Sequence, residues 1–194
     1  MSFEKVILEG NYVRLEPLTL AHVEGLRNAV SDGELWKLFV TRIPQPDRVA
    51  DYIQTALSQY AAGEGLAFAT FDKVSNKVIG STRFMHADLS NKRVEIGATF
   101  IAKSFQRTRI NTEAKLLMPS HAFDALEVNR VEFITDYLNT ASRDAISRVG
   151  AKQEGVLRNH MVMLDGRVRD SVLFSIIKYE WPGVKRHLLQ KLGG

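Results

Sequence analysis

The chain has 194 residues, 45% of them hydrophobic and 25% charged, which suits one domain over residues 1–194 with a sizeable buried core. It carries a formal charge of +4 and no cysteine, which excludes disulfides, thiolate metal ligands and a cysteine nucleophile, and its five histidines form no HExxH or close pair, so no metal is expected. No run approaches the roughly 20 apolar residues of a membrane span, Glu4 and Glu9 interrupt what would be a signal peptide, and the charges are interleaved with no nucleic-acid motif: a cytoplasmic protein without membrane or nucleic-acid partners is expected.

Taken in order, residues 6–8 and 12–16 read as short strands around the turn-forming pair Gly10-Asn11, and Pro17 closes the second. Thr19 suits the cap of a helix over 20–30, stopped by Ser31-Asp32-Gly33. The apolar stretch 35–43 is either packing or the rim of a substrate mouth, and a helix from Pro46 or Asp47 to Ala61 follows, with Val49, Ile53, Ala56, Leu57 and Tyr60 at helical spacing. Residues 66–71, 78–85 and 94–101 alternate as an antiparallel meander. Beyond it come a helix, a strand at 128–135, a helix at 139–149, strands at 151–157 and 168–177, and a short helix at 183–192. The expected fold is α/β: a mixed, mostly antiparallel sheet of about seven strands flanked by helices.

The most informative stretch is Glu95 to Leu126: a strand, a polar and basic turn, then a helix whose first amides point back at the turn and suit a phosphate. Ala114, Leu117, Met118, His121, Ala122, Ala125 and Leu126 predict its buried face. Pro119 removes the bond to Lys115, which predicts a kink or a loosening there.

Several pieces, weak singly, fall in one order: Val13-Arg14-Leu15-Glu16-Pro17-Leu18, Val94-Glu95-Ile96-Gly97, Gln106 with Asn111-Thr112-Glu113-Ala114-Lys115, Asn139-Thr140-Ala141-Ser142-Arg143, Gly150-Ala151, Glu154-Gly155 and Asp165-Gly166-Arg167-Val168-Arg169-Asp170. In this the chain resembles the Gcn5-related N-acetyltransferase (GNAT) superfamily, in particular the branch of the RimJ/RimL-like ribosomal-protein N-terminal acetyltransferases. The resemblance implies the fold of that family. It also implies transfer of acetyl from acetyl-coenzyme A (acetyl-CoA) to a primary amine, a protein N-terminus or a small amine, and a possible homodimer.

The same resemblance places the coenzyme A site at Phe100, Ile101, Gln106, Arg107, Thr108, Arg109, Ile110, Asn111 and Thr112, with Asn139, Ser142 and Arg143 beside it. The family's phosphate loop is Gln/Arg-x-x-Gly-x-Gly/Ala; here Arg109 and Asn111 fill the small positions, and Arg107 stands where close relatives carry glycine. Their β-carbons crowd a backbone cradle while the guanidinium groups add donors for phosphate. Glu95 and His160 are base candidates, and Ser142 is where the branch places a hydroxyl near the sulfur; Ile146 occupies the position of the tyrosine acid of other relatives. Asn139 and Ser142 can equally be helix caps, His160 a surface histidine, and Arg169 and Asp170 either contact substrate or pair across their hairpin. Direct transfer in a ternary complex follows from the lack of an activated nucleophile. The alternative is a catalytically weakened module that binds coenzyme A or a peptide.

Overall fold

In a computed structural model, which describes residues 3–88 and 90–193, eight strands form one sheet in the order β1-β2-β3-β4-β5-β6-β8-β7. The strands are β1 (Leu8–Glu9), β2 (Val13–Pro17), β3 (Leu66–Asp72), β4 (Lys77–Asp88), β5 (Arg93–Ile101), β6 (Arg130–Asp136), β7 (Lys152–Val162) and β8 (Val168–Ile177). Every neighbouring pair is antiparallel except β5 and β6. The count is eight, one more than about seven. Pro17 lies inside β2, at its end, where its missing amide costs nothing because Leu18 resumes the bonding by donating to the Ala67 carbonyl.

Helices cover both faces. On one side α1 (Val23–Ser31) and α2 (Val49–Ala61) bury Leu26, Val30, Val49 and Ile53 with Phe100. On the other, α3 (Arg109–Asp124) and α5 (Trp181–Leu192) pack over Phe68, Phe84, Val94, Phe133 and Phe174. The fifth helix, α4 (Thr140–Arg148), follows β6. Both early helices begin as 3-10 turns, Leu20–His22 and Pro46–Arg48, because neither Thr19 nor Gln45 is followed at once by a full α turn.

Inside α3 the buried line is Ile110, Ala114, Met118 and Ala122, with Phe123 stacked on Trp181 of α5 at 5.3 Å. Leu117 is half-buried and Ala125 exposed, so the buried face is rotated from the expected one: α3 packs on α5 as well as on the sheet. The helix continues past Pro119 to Asp124; the ring is buried, and core packing offsets the roughly 3 kcal/mol of the lost bond.

The feature that positions the site is a parting of the sheet. β5 and β6 pair only from Arg93–Glu95 to Arg130–Glu132; beyond that β5 bonds to β4 alone and β6 to β8 alone. A bulge helps the two diverge: between the pairs Arg83–Gly97 and Ser81–Phe100, Ala98 and Thr99 face only Thr82, and Ala98 adopts φ 46°.

Candidate active site

The phosphate-binding candidates gather at the open end of the split. A 3-10 turn, Lys103–Phe105, leaves β5 and is held against the end of α1 by the Lys103 amide on the Asp32 carbonyl and the Ser104 amide on the Asp32 carboxylate. This approach needs Gly33, at φ 87°, since a β-carbon there would lie 2.5 Å from that of Lys103. Gln106 donates to the Ile101 carbonyl at 2.9 Å, closing the turn. Thr108 caps α3 through the Ile110 amide, so the amides of Arg109 and Asn111 meet no acceptor within the helix and are free for an anion.

Arg107 takes φ 60°, the left-handed conformation for which glycine is otherwise favoured. The backbone therefore keeps a glycine-like course without glycine, at about 1–2 kcal/mol. Arg109 does not crowd the cradle either: its guanidinium turns back onto Tyr12, 2.5 Å from the hydroxyl and 5.2 Å from the ring centre. Arg107 is left as an exposed cation over the helix start.

Along the split, Ala102 donates its amide to Ile79. The alternation of an antiparallel ladder then puts Phe100 at a bonded position opposite Ser81 and turns the amide of Ile101 away from β4, toward the gap. Of the two β5 residues expected in the coenzyme A site, Ile101 has the free donor.

Glu95 is buried, 6% exposed, at the closed end of the split on the face away from α3, since its neighbours Val94 and Ile96 are in the core under that helix. Its Oε2 lies 2.8 Å from His86 Nδ1, and this bond raises the histidine's pKa. The partnership is set by the β4–β5 register, which no spacing in the sequence announces; His86 sits at φ 49° beside a register shift that aims its ring at β5.

His160, on β7, is exposed, and its Nδ1 is 3.0 Å from the Ser171 hydroxyl, which accepts from Arg169 Nε at 2.9 Å. The Nδ1 face of the ring is thereby turned to Ser171, as donor or acceptor according to its tautomer. Arg169 is 9% exposed and bonds no carboxylate among the described residues; burial lowers its pKa, while Asp136 opposes that effect. It does not pair with Asp170, whose carboxylate takes Arg158 at 2.8 Å and the Asn159 amide at 2.8 Å. The loop before α2 forms the facing wall: Arg167 bonds both the buried Asp136 and the Phe39 carbonyl, and Arg42 donates to the Val162 carbonyl.

On α4, Asn139 accepts the Ser142 amide at 3.0 Å and so is the cap. The Ser142 hydroxyl bonds no described residue. Arg143 is engaged by the Tyr137 carbonyl at 3.1 Å through Nη1 and by the Tyr137 ring, while its buried Nε meets no acceptor among the described residues. Glu113 is structural: its carboxylate accepts the amides of Asn11, Tyr12 and Val13 at 2.6–2.8 Å. No group of three or more His, Asp or Glu that could hold a metal occurs among the described residues, and no described helix is long and apolar enough to cross a membrane.

A sheet parted between two parallel strands, with a basic turn and bare helix amides at the open end, defines an N-acetyltransferase of the GNAT kind. The family model described as Acetyltransferase (GNAT) domain matches residues 13–152, and the chain belongs to that family. It is 35% identical over 106 residues, 55% of this chain and 57% of the relative, to a Bacillus subtilis protein provisionally described as the ribosomal N-acetyltransferase YdaF. The solved structure of a GCN5-related N-acetyltransferase from Brucella melitensis is 33% identical, with TM-score 0.86, covering 98% of this chain and 86% of the other. RimJ from Mycobacterium smegmatis, solved in complex with CoA-disulfide, shares the fold at 22% identity and TM-score 0.79, covering 97% of this chain and 94% of that one.

Proposed function

We propose that the chain works as one acyltransferase domain, passing acetyl from acetyl-CoA to a primary amine by direct transfer in a ternary complex. The carrying observation is the divergence of β5 from β6 after the Glu95–Glu132 pair, with the unpaired amides of α3 at its mouth. The RimJ complex with CoA-disulfide supports coenzyme A as the ligand of a protein of this fold.

The residues divide the work by position. The amides of Arg109 and Asn111 and the Arg107 side chain hold the pyrophosphate, assisted by the helix dipole. The Ile101 amide holds the thioester carbonyl and stabilises its oxygen as the amine attacks. The thioester supplies an activated acyl group with a thiol as leaving group. Glu95 accepts the amine's proton, directly or through a water, with His86 fixing the carboxylate. Ser142, its hydroxyl free, stands as a donor beside the sulfur. His160 orients Ser171 and Arg169 in place of serving as the base.

Arg169 narrows the acceptor. A guanidinium cannot shed its charge, so one this buried without a carboxylate partner favours an acceptor bearing an anionic group near its amine. Peptide N-termini with a nearby carboxylate come first, in keeping with the ribosomal description of the Bacillus subtilis relative.

A thiol-release assay with acetyl-CoA and a panel of peptide N-termini, amino acids, polyamines and drug-like amines tests the reading. Amine-dependent release supports it. Binding of acetyl-CoA with no turnover on any amine would instead favour a binding module, the reading that Arg107 and Arg109 in the loop motivate. A homodimer, implied by family resemblance, is decided by sedimentation.

A further inference from the structure

Lys115, on α3, is 7% exposed and bonds no carboxylate among the described residues. Its Nζ donates to the Thr99 hydroxyl at 3.2 Å and lies 5.6 Å from the centre of the Phe133 ring. Thr99 belongs to the diverging part of β5, and Phe133 is the first residue of β6 beyond its last pairing with β5. The ammonium thus bridges the two lips of the split from the α3 side, while Glu95 stands on the other face.

The groups packed on Lys115 do not neutralise it. Thr99 comes from β5 and bonds Thr82 of β4 at 2.7 Å, and from β6 the uncharged Phe133 ring faces the amine. Glu113, on the same helix, is spent on the three amides of the β1–β2 turn. Glu132, like Glu95, alternates onto the opposite face. Burial, opposed by no charge, pulls the amine's pKa down to about 7. An amine in that range passes a proton in either direction near neutral pH, and its charge is felt strongly in a site shielded from water.

We infer that Lys115 is the group that neutralises the departing sulfur. The inference rests on the acyl-CoA reading above. The acceptor amine forms the new C–N bond, the C–S bond breaks with its electron pair going to sulfur, and the Lys115 ammonium gives that sulfur a proton, leaving free thiol and a neutral lysine. Glu95 takes the proton lost by the amine, and exchange with solvent restores both groups. Lys115 then fills the place that Ile146 leaves without an acid.

The test reads the thiol of bound coenzyme A itself. Thiolate absorbance is followed against pH with coenzyme A on the parent, Lys115→Met and Lys115→Arg proteins, with calorimetric affinities for coenzyme A and its desulfo analogue. The parent is expected to hold the bound thiol below its free pKa. Lys115→Met should raise it by at least about one unit, a tenfold change in proton affinity, with desulfo-coenzyme A affinity unchanged. Lys115→Arg should keep the depressed thiol pKa, since the charge remains, while losing turnover. If Lys115→Met does not fold, nitrogen NMR of the Lys115 amine in the parent decides: coenzyme A should raise its pKa and the desulfo analogue should not. Binding of coenzyme A with the same thiol pKa in parent and variant, or equal effects of the two ligands on the amine, overturns the Lys115 role alone. Failure of the parent to bind coenzyme A overturns the acyl-CoA reading with it.

Discussion

His86 Nδ1 and Glu95 Oε2 lie 2.8 Å apart across the β4–β5 ladder, one side chain 70% exposed and the other 7%. The exposed imidazole thereby covers and orients the buried carboxylate. Glu95→Gln should lower kcat on the order of a hundredfold or more while leaving acetyl-CoA affinity unchanged, as measured by steady-state rates beside calorimetry. Equal kcat in the two proteins would remove Glu95 from the reaction.

The same pair sets a pH dependence of stability. Glu95 raises the pKa of His86 above the usual histidine value, so the folded state binds its proton more tightly than the unfolded chain. The stabilisation is complete below about 6.5, the unfolded value, and fades as pH rises through the folded one. Urea midpoints should therefore show His86→Ala costing most in acid and little in alkali, with a modest total because the ring is largely exposed. A difference that grows with pH would contradict the pairing.

Glu113 makes a sharper prediction. Its carboxylate receives three backbone amides, and Gly10 leaves it room, since a β-carbon there would fall 2.3 Å from Glu113 Cδ. Glu113→Ala strands those donors and should cost about 3 kcal/mol or more of unfolding free energy. A loss within the few tenths typical of a surface site would show that the β1–β2 turn holds without it.

Arg107 tests strain against charge. Because φ is 60°, Arg107→Gly should be more stable than Arg107→Ala by about 1 kcal/mol, reversing the usual preference for alanine. Both should bind coenzyme A more weakly than the parent and with a shallower dependence on salt. Alanine proving the more stable of the two would contradict the left-handed turn.

Arg169 predicts acceptor choice. With matched peptides whose side chain near the N-terminus is a carboxylate or its amide, the acid should be preferred in kcat/KM. Arg169→Met should remove the preference while sparing acetyl-CoA affinity. Equal use of acid and amide by the parent would discard this anchor.

The sequence showed most where local periodicity carries the information. The meander, the strand–turn–helix around residues 95–126 and the family order of motifs follow from alternation and turn residues that act over a few positions. What it hid depends on register and packing. The partnership of His86 with Glu95 needs the β4–β5 pairing, the diversion of Arg109 onto Tyr12 needs the β1–β2 turn to reach α3, and the burial of Lys115 needs β5 and β6 to part. The three arginines and lysines of the loop read alike in the sequence, yet Arg107 alone combines an exposed side chain with a glycine-like backbone.

The central claim is acetyl transfer to an amine bound together with the cofactor, and initial rates of thiol release with acetyl-CoA and a carboxylate-bearing peptide amine varied together test it most directly. The account predicts release that requires the amine, with double-reciprocal lines that intersect. Parallel lines, or no release with any amine from a protein that binds acetyl-CoA, would contradict it.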